Sequence, residues 1–212
     1  DGDESRVVEL DRRVAARMGF ERLWPLTGQT YSRKHDSRVL AALSGVAQSA
    51  AKLSSDLRLL AHLQEVEEPV GKRQIGSSAM PYKRNPMRSE RIAALARWLI
   101  VLAQNAPLTA ATQWFERTLD DSANRRLSLG GGFLTADAIL ELLLNVTDGL
   151  VVHPEVIDRR AQEQLPFIAS EEILMEAVKA GGDRQALHEE IRAAALAAAE
   201  DLKAKGGENT FF

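Results

Sequence analysis

"SRVLAALSGVAQSAAKLSSDLRLLAHL", residues 37–63, decides the fold. Leu40, Leu43, Ala47, Ala50, Ser54, Leu57 and Ala61 recur every three or four positions, so they share one helix face. No proline interrupts the stretch, and Gly45 is its one glycine. The pattern predicts a single helix roughly twice the usual length. Its stripe of small and aliphatic side chains needs other helices to cover it.

The neighbouring segments supply them. Upstream, Val7, Leu10, Val14 and Met18 trace one face of a helix over 4–18, with Gly19 as its stop. Pro25 and Gly28 break the chain between residues 20 and 34, which reads as a loop. Downstream, a loop over 65–85 leads to Asn85-Pro86, a capping residue followed by a proline suited to a first helical turn. The helix that begins there is expected to reach about Gln104, where Asn105-Ala106-Pro107 ends it.

Asp120 or Asp121 caps a further helix running to about Asp148. Gly130, Gly131 and Gly132 lie inside it, each costing about 1 kcal/mol against alanine, so a close helix–helix approach or a kink is expected there. Shorter helices follow over 154–163, 170–180 (Ser170 as cap) and 183–204 (Asp183 as cap, Gly206 as stop). No segment reads as a strand pair. The expected fold is all-α, with a bundle of long helices over 1–152 and a smaller helical domain over 153–212.

The totals exclude several classes. Of the 212 residues 45% are hydrophobic and 27% are charged, which is the make-up of a folded globular chain. A net charge of −3 argues against general nucleic-acid binding. No cysteine is present, which removes disulfides and thiolate metal sites and favours a cytoplasmic home. No uninterrupted apolar run approaches the roughly 20 residues of a membrane span. Both ends, "DGDESRVVEL" and "GGENTFF", read as cuts through a longer protein.

The loop carries the chemistry. "GSSAMPYKRNP" (76–86) sets two hydroxyls, Ser77 and Ser78, beside the permissive backbone of Gly76. Lys83 and Asn85 add a cation and an amide donor, a combination suited to a carboxylate; an ordinary surface loop is the plain alternative. Further on, Ser122 and Arg126 stand four apart on one helix face, with Arg117 just ahead of them. A hydroxyl, the amides of a helix start and two guanidinium groups suit a phosphate. Arg126 pairing with Asp120 or Asp121 is the alternative.

"GSSAMPYKRNP" resembles the signature loop of the fumarase/aspartase superfamily. "TGQTYSRK" (27–34) and "QWFERTLDDSANRR" (113–126) are similar to the adenylosuccinate lyase family within it. The resemblance implies β-elimination of fumarate from adenylosuccinate, giving AMP, and from succinylaminoimidazole carboxamide ribotide in purine biosynthesis. It implies a homotetramer with active sites shared between subunits. It implies no cofactor and no metal; His35, His62, His153 and His188 lack metal-ligand spacing.

The roles it implies fall on named residues. Ser77 is the base, while Lys83 and Asn85 hold the succinyl carboxylates and the negative charge that develops on them. Glu90 orients a catalytic histidine, although a glutamate in a first helical turn is also favoured by the helix dipole. Gln29, Ser78 and Arg91 contact substrate, with loop shaping as Ser78's alternative. Arg117, Ser122 and Arg126 hold the nucleotide phosphate. The group that protonates the leaving nitrogen belongs to a motif expected ahead of residue 1, so the piece alone is expected to be inactive. Argininosuccinate lyase and a catalytically dead helical bundle are the competing readings. The phosphate cluster speaks against the first, and the intact Ser77, Lys83 and Asn85 set against the second.

Overall fold

The computed structural model describes residues 2–71, 80, 82–115, 119–206, 209 and 211. The chain is all-α: α1 (Glu4–Arg17), α2 (Lys34–His62), α3 (Met87–Leu102), α4 (Asn105–Ala111), α5 (Asp120–Asp148), α6 (Pro154–Lys179) and α7 (Arg184–Lys205). Two-residue strands, β1 (Val66–Glu67) and β2 (Val151–Val152), pair antiparallel with Val66 opposite Val152. The chain divides into two compact units. One comprises Asp1–Ser55 with Ser89–Leu144, the other Asp56–Arg88 with Asn145–Phe212.

In the first unit the stripe on α2 is the buried one. Leu40, Ala47 and Ala50 are almost inaccessible, as are Ile92, Ala96 and Leu99 of α3 and Ala136 and Ile139 of α5. Many of these residues are alanines, so the helices approach closely. At Gly132 a Cβ would stand 2.6 Å from Leu40 Cδ2, and at Gly131 2.9 Å from Trp98 Cη2. Two of the three glycines are therefore contact points between helices. Gly130 faces open space.

α1 forms where expected. Asp3 caps it by accepting from the Arg6 amide, and Gly19 follows its end at φ +80°. Its apolar face is not covered, for Val7, Leu10, Val14 and Met18 are each at least half exposed. α4 is a departure from expectation. Pro107 does not end helical structure but stands in the first turn of a new helix, where its missing N–H has no partner to lose.

In the second unit α6 and α7 pack together, burying Leu174 and Ala198. The break expected near residue 166 does not occur, because α6 runs through Pro166. Ser170 accordingly caps nothing; its hydroxyl donates to the Phe167 carbonyl at 2.6 Å, a bond available inside an intact helix. Asp183 does cap α7, accepting from the amides of Gln185 and Ala186, and Gly206 ends it in the left-handed region. The unexpected strand pair lies in this unit, too short to give the sequence an alternating pattern. Beside it Arg88 donates to Glu68 through its amide (3.0 Å) and to the Pro69 carbonyl through its guanidinium.

Candidate functional site

Among the described residues, a cluster of charged and aromatic side chains lies within the first unit, where the loop before α2 meets the start of α5. Arg33 and Asp121 form an ion pair there with both side chains buried. Arg125, one turn on, donates to Asp36 at 2.5 Å and also to the Tyr31 hydroxyl. That hydroxyl donates in turn to Asp36 Oδ1 at 2.6 Å. The Tyr31 ring lies against two cations, with Arg33 Cζ at 4.9 Å and Arg125 Cζ at 5.4 Å from its centre.

The protonation states follow from these partners. Burial pushes the Asp36 carboxyl up, but the hydrogen bonds from Arg125 and Tyr31 outweigh it and hold the group below its ordinary value. Burial raises the Tyr31 phenol, and its bond to ionised Asp36 raises it further. Asp36 is thus an anion and Tyr31 a neutral donor throughout the physiological range.

Gln113 ties the same loop to the residues after α4. Its carbonyl accepts from the Arg33 amide at 2.9 Å, and its amide donates to the Tyr31 carbonyl at 3.4 Å and Thr30 Oγ1 at 3.5 Å. A cleft of about 400 Å³ opens beside this junction. Its walls include Trp24, Thr27, Thr30, His35, Gln113 and Trp114. His35 packs edge-on to Trp24 with ring centres 4.6 Å apart. Aromatic walls with interspersed hydroxyls suit a ligand that is part ring and part polar.

Ser122 and Arg126 share one face, as their spacing predicts. The Arg126 guanidinium donates to Ser122 Oγ at 2.5 Å and to the Ser122 carbonyl at 2.7 Å. Neither Asp120 nor Asp121 takes Arg126 as an ion-pair partner; Asp121 is engaged by Arg33. The first amides of α5 are also engaged, that of Asp121 by Asp120 Oδ1 and that of Ser122 by the Leu119 carbonyl. An anion at this turn would meet side chains, the hydroxyl of Ser122 and the remaining donors of Arg126, rather than those two amides.

The structure thus brings together the loop bearing Gln29 and the turn bearing Ser122 and Arg126. Gln29 is exposed beside the cleft-lining Gly28 and Thr30. Glu90 and Arg91, in the first turns of α3, are exposed members of the same unit. Lys83 and Asn85 belong to the second unit, Lys83 exposed and Asn85 partly buried, with the Asn85 carbonyl accepting from the Met87 amide. Ser77, Ser78 and Arg117 lie outside the described residues. Sequence reasoning passed over Tyr31, Arg33, Asp36, Gln113 and Arg125, and took Asp121 as a helix cap or a partner of Arg126. For Tyr31, Arg33 and Asp36 the signal was the run of charged and aromatic residues in "TYSRKHD".

Residues 8–100 match a family model described as lyase, and residues 166–212 one described as adenylosuccinate lyase C-terminus. Adenylosuccinate lyase of Saccharomyces cerevisiae is 56% identical over 208 residues, covering 98% of this chain and 43% of the relative. That of Schizosaccharomyces pombe is 50% identical, covering 99% and 43%, and that of Schistosoma mansoni 46% identical, covering 99% and 44%. The chain therefore spans under half the length of these relatives. Among solved structures, a fumarate lyase from Mesorhizobium sp. BNC1 superposes with TM-score 0.75 at 22% identity, covering 93% of this chain and 43% of its own. A 3-carboxy-cis,cis-muconate lactonizing enzyme from Pseudomonas putida gives 0.77 at 20% identity, covering 97% and 44%. At such identities these two speak for the fold alone.

Proposed function

From the premise that this chain belongs to the adenylosuccinate lyase family of the fumarase/aspartase superfamily, we propose that the whole protein eliminates fumarate from succinyl-bearing nucleotides. The substrates are adenylosuccinate, giving AMP, and succinylaminoimidazole carboxamide ribotide, which places the enzyme in purine biosynthesis. The observation that carries the proposal is the junction in the first unit. The buried Arg33–Asp121 pair and the bond from Arg125 to the Tyr31 hydroxyl hold "TGQTYSRK" against "DDSANRR", two segments far apart in sequence. A ligand lying along that junction meets Gln29 on one side and Ser122 with Arg126 on the other.

The chemistry assigns each group a task. Ser77 removes the proton next to the succinyl carboxylate, and the electron pair left on that carbon expels the nitrogen as fumarate forms. A serine acts as base only where its oxyanion is stabilised, and Lys83 supplies positive charge for that purpose. Lys83 and Asn85 hold the carboxylates, where charge grows as the proton leaves. Glu90 orients the histidine that serves the leaving nitrogen, with Ser78 and Arg91 at the substrate. Arg117, Ser122 and Arg126 bind the phosphate through charge-assisted hydrogen bonds. The reaction needs neither a cofactor nor a metal.

The protein is proposed to work in the cytoplasm as a homotetramer whose active sites are shared between subunits. Uncovered apolar surface supports the assembly: besides the face of α1, Leu127, Leu134 and Leu144 of α5 are mostly exposed. The α3–α4 region and α5 are long and apolar enough to cross a membrane by composition. In α5, however, the apolar middle over 127–144 contains Asp137 and Glu141, and an acidic group at the bilayer centre costs about 2.5–3.5 kcal/mol. Helices of other subunits cover such a face without that penalty.

The test is fumarate release by the full-length protein and by its Ser77→Ala variant. Turnover of adenylosuccinate is expected in the first. In the second it falls by about three orders of magnitude while substrate binding persists. A wild-type protein that binds adenylosuccinate without releasing fumarate would refute the proposal.

A further inference from the structure

We propose that Gln113 is a positioning residue, setting the loop that carries Gln29 against the segment that leads into α5. The inference rests on the lyase reading above. Gln113 makes three bonds to one short stretch, reaching the Arg33 amide, the Tyr31 carbonyl and the Thr30 hydroxyl, across 80 to 83 positions of sequence. It is a side chain satisfying backbone groups that no helix or strand supplies with partners. The amide of Arg33 precedes α2, and the carbonyl of Tyr31 lies in the loop.

The two ion pairs act on side chains and reach Tyr31 only at its ring and hydroxyl. Arg33 to Asp121 and Asp36 to Arg125 join side chains at the far end of the loop to the first turns of α5. They do not bond the Tyr31 carbonyl or the Thr30 hydroxyl, within two residues of Gln29. Gln113 does, and it lines the cleft together with Thr30 and Trp114. Both halves of its amide are used. A carboxylate in its place can accept from the Arg33 amide but cannot donate to the Tyr31 carbonyl, and leucine can do neither.

Full-length Gln113→Leu and Gln113→Glu, each alone and combined with Gln29→Ala, test this by steady-state kinetics and amide hydrogen exchange. Gln113→Leu is expected to raise KM for adenylosuccinate about tenfold while kcat stays within about threefold. Gln113→Glu falls between it and wild type. Because Gln113 acts through the loop, Gln113→Leu added to Gln29→Ala should raise KM no further than Gln29→Ala alone. Exchange of the amides over 29–33 should quicken in both Gln113 variants while that of α5 residues 128–140 is unchanged. Unaltered exchange at 29–33 overturns the inference whether or not the enzyme turns over, and so does strict additivity with Gln29→Ala. A wild-type protein releasing no fumarate counts against the lyase reading instead, and leaves the exchange result to decide this one.

Discussion

Arg33 and Asp121, 88 positions apart, form an ion pair in which the side chains are 4% and 3% exposed. Removing one member strands a buried charge, at a cost of about 3–5 kcal/mol. Arg33→Met is expected to lower the unfolding free energy of the full-length protein by that amount. The Arg33→Met/Asp121→Leu pair should lose clearly less than the sum of the single losses. Urea denaturation of the three variants measures both, and a double loss equal to the sum would show the pair to be uncoupled.

Acid and alkali should each weaken the junction through a different group. The folded Asp36 titrates below its ordinary 3.8, so the folded state binds that proton more weakly than the unfolded chain does. Its contribution is complete well above pH 3.8 and is lost as pH falls through the folded value. The folded Tyr31 titrates above 10.0, so its contribution is present below pH 10.0 and lost as pH rises through the folded value. Asp36→Asn is expected to flatten the acid limb of a stability–pH curve, and Tyr31→Phe the alkaline limb.

The three consecutive glycines of α5 should respond differently to alanine. Gly132→Ala forces a Cβ onto Leu40, which is fully buried, and overpacking of this kind costs about 1–3 kcal/mol. Gly130→Ala meets nothing within 4 Å and gains helix propensity of about 1 kcal/mol. Thermal midpoints moving in opposite directions are expected. A destabilised Gly130→Ala would place another subunit's helix at that point.

In the proposed phosphate role, Arg126→Ala removes a charge-assisted contact far from the bond that breaks. A loss of about 1.5–3 kcal/mol is expected, mostly as a raised KM. Collapse of kcat at unchanged KM would move Arg126 out of the phosphate role.

The exposed face of α5 predicts assembly. Leu134→Arg, at a residue 73% exposed in this chain, is expected to reduce the mass of the full-length protein in light scattering. If that mass is a monomer's before any substitution, the homotetramer is excluded.

Sequence periodicity located α1, α2, α3, α5 and α7 because each has a proper start or stop and an uninterrupted face. It failed where one residue has two readings. Pro166 reads as a break, yet α6 continues through it; Pro107 reads as a stop, yet it opens α4. Pro107 costs its helix nothing, since a first-turn N–H has no partner, whereas α6 accepts at Pro166 a residue that a helix interior disfavours by about 3 kcal/mol. Spacing along one helix showed Ser122 and Arg126 as a pair. The ion-pair partners of Arg33 and Asp36, and the residues Gln113 bonds, lie 80 or more positions away, beyond the reach of any local pattern.

The bonds from Arg88 to Glu68 and Pro69, beside the Val66–Val152 pairing, fasten together the two ends of the segment that bears the signature motif. A chain closed at its base behaves as a ring tethered to the fold. The entropy of closing such a ring grows only as the logarithm of its length, about 0.6 kcal/mol per doubling. Lengthening the chain between those two ends therefore costs the fold little. Changes of length there, short of Asn85-Pro86 ahead of α3, should alter turnover while moving the melting of the helices little, so that catalysis and stability can evolve on separate stretches of one polypeptide.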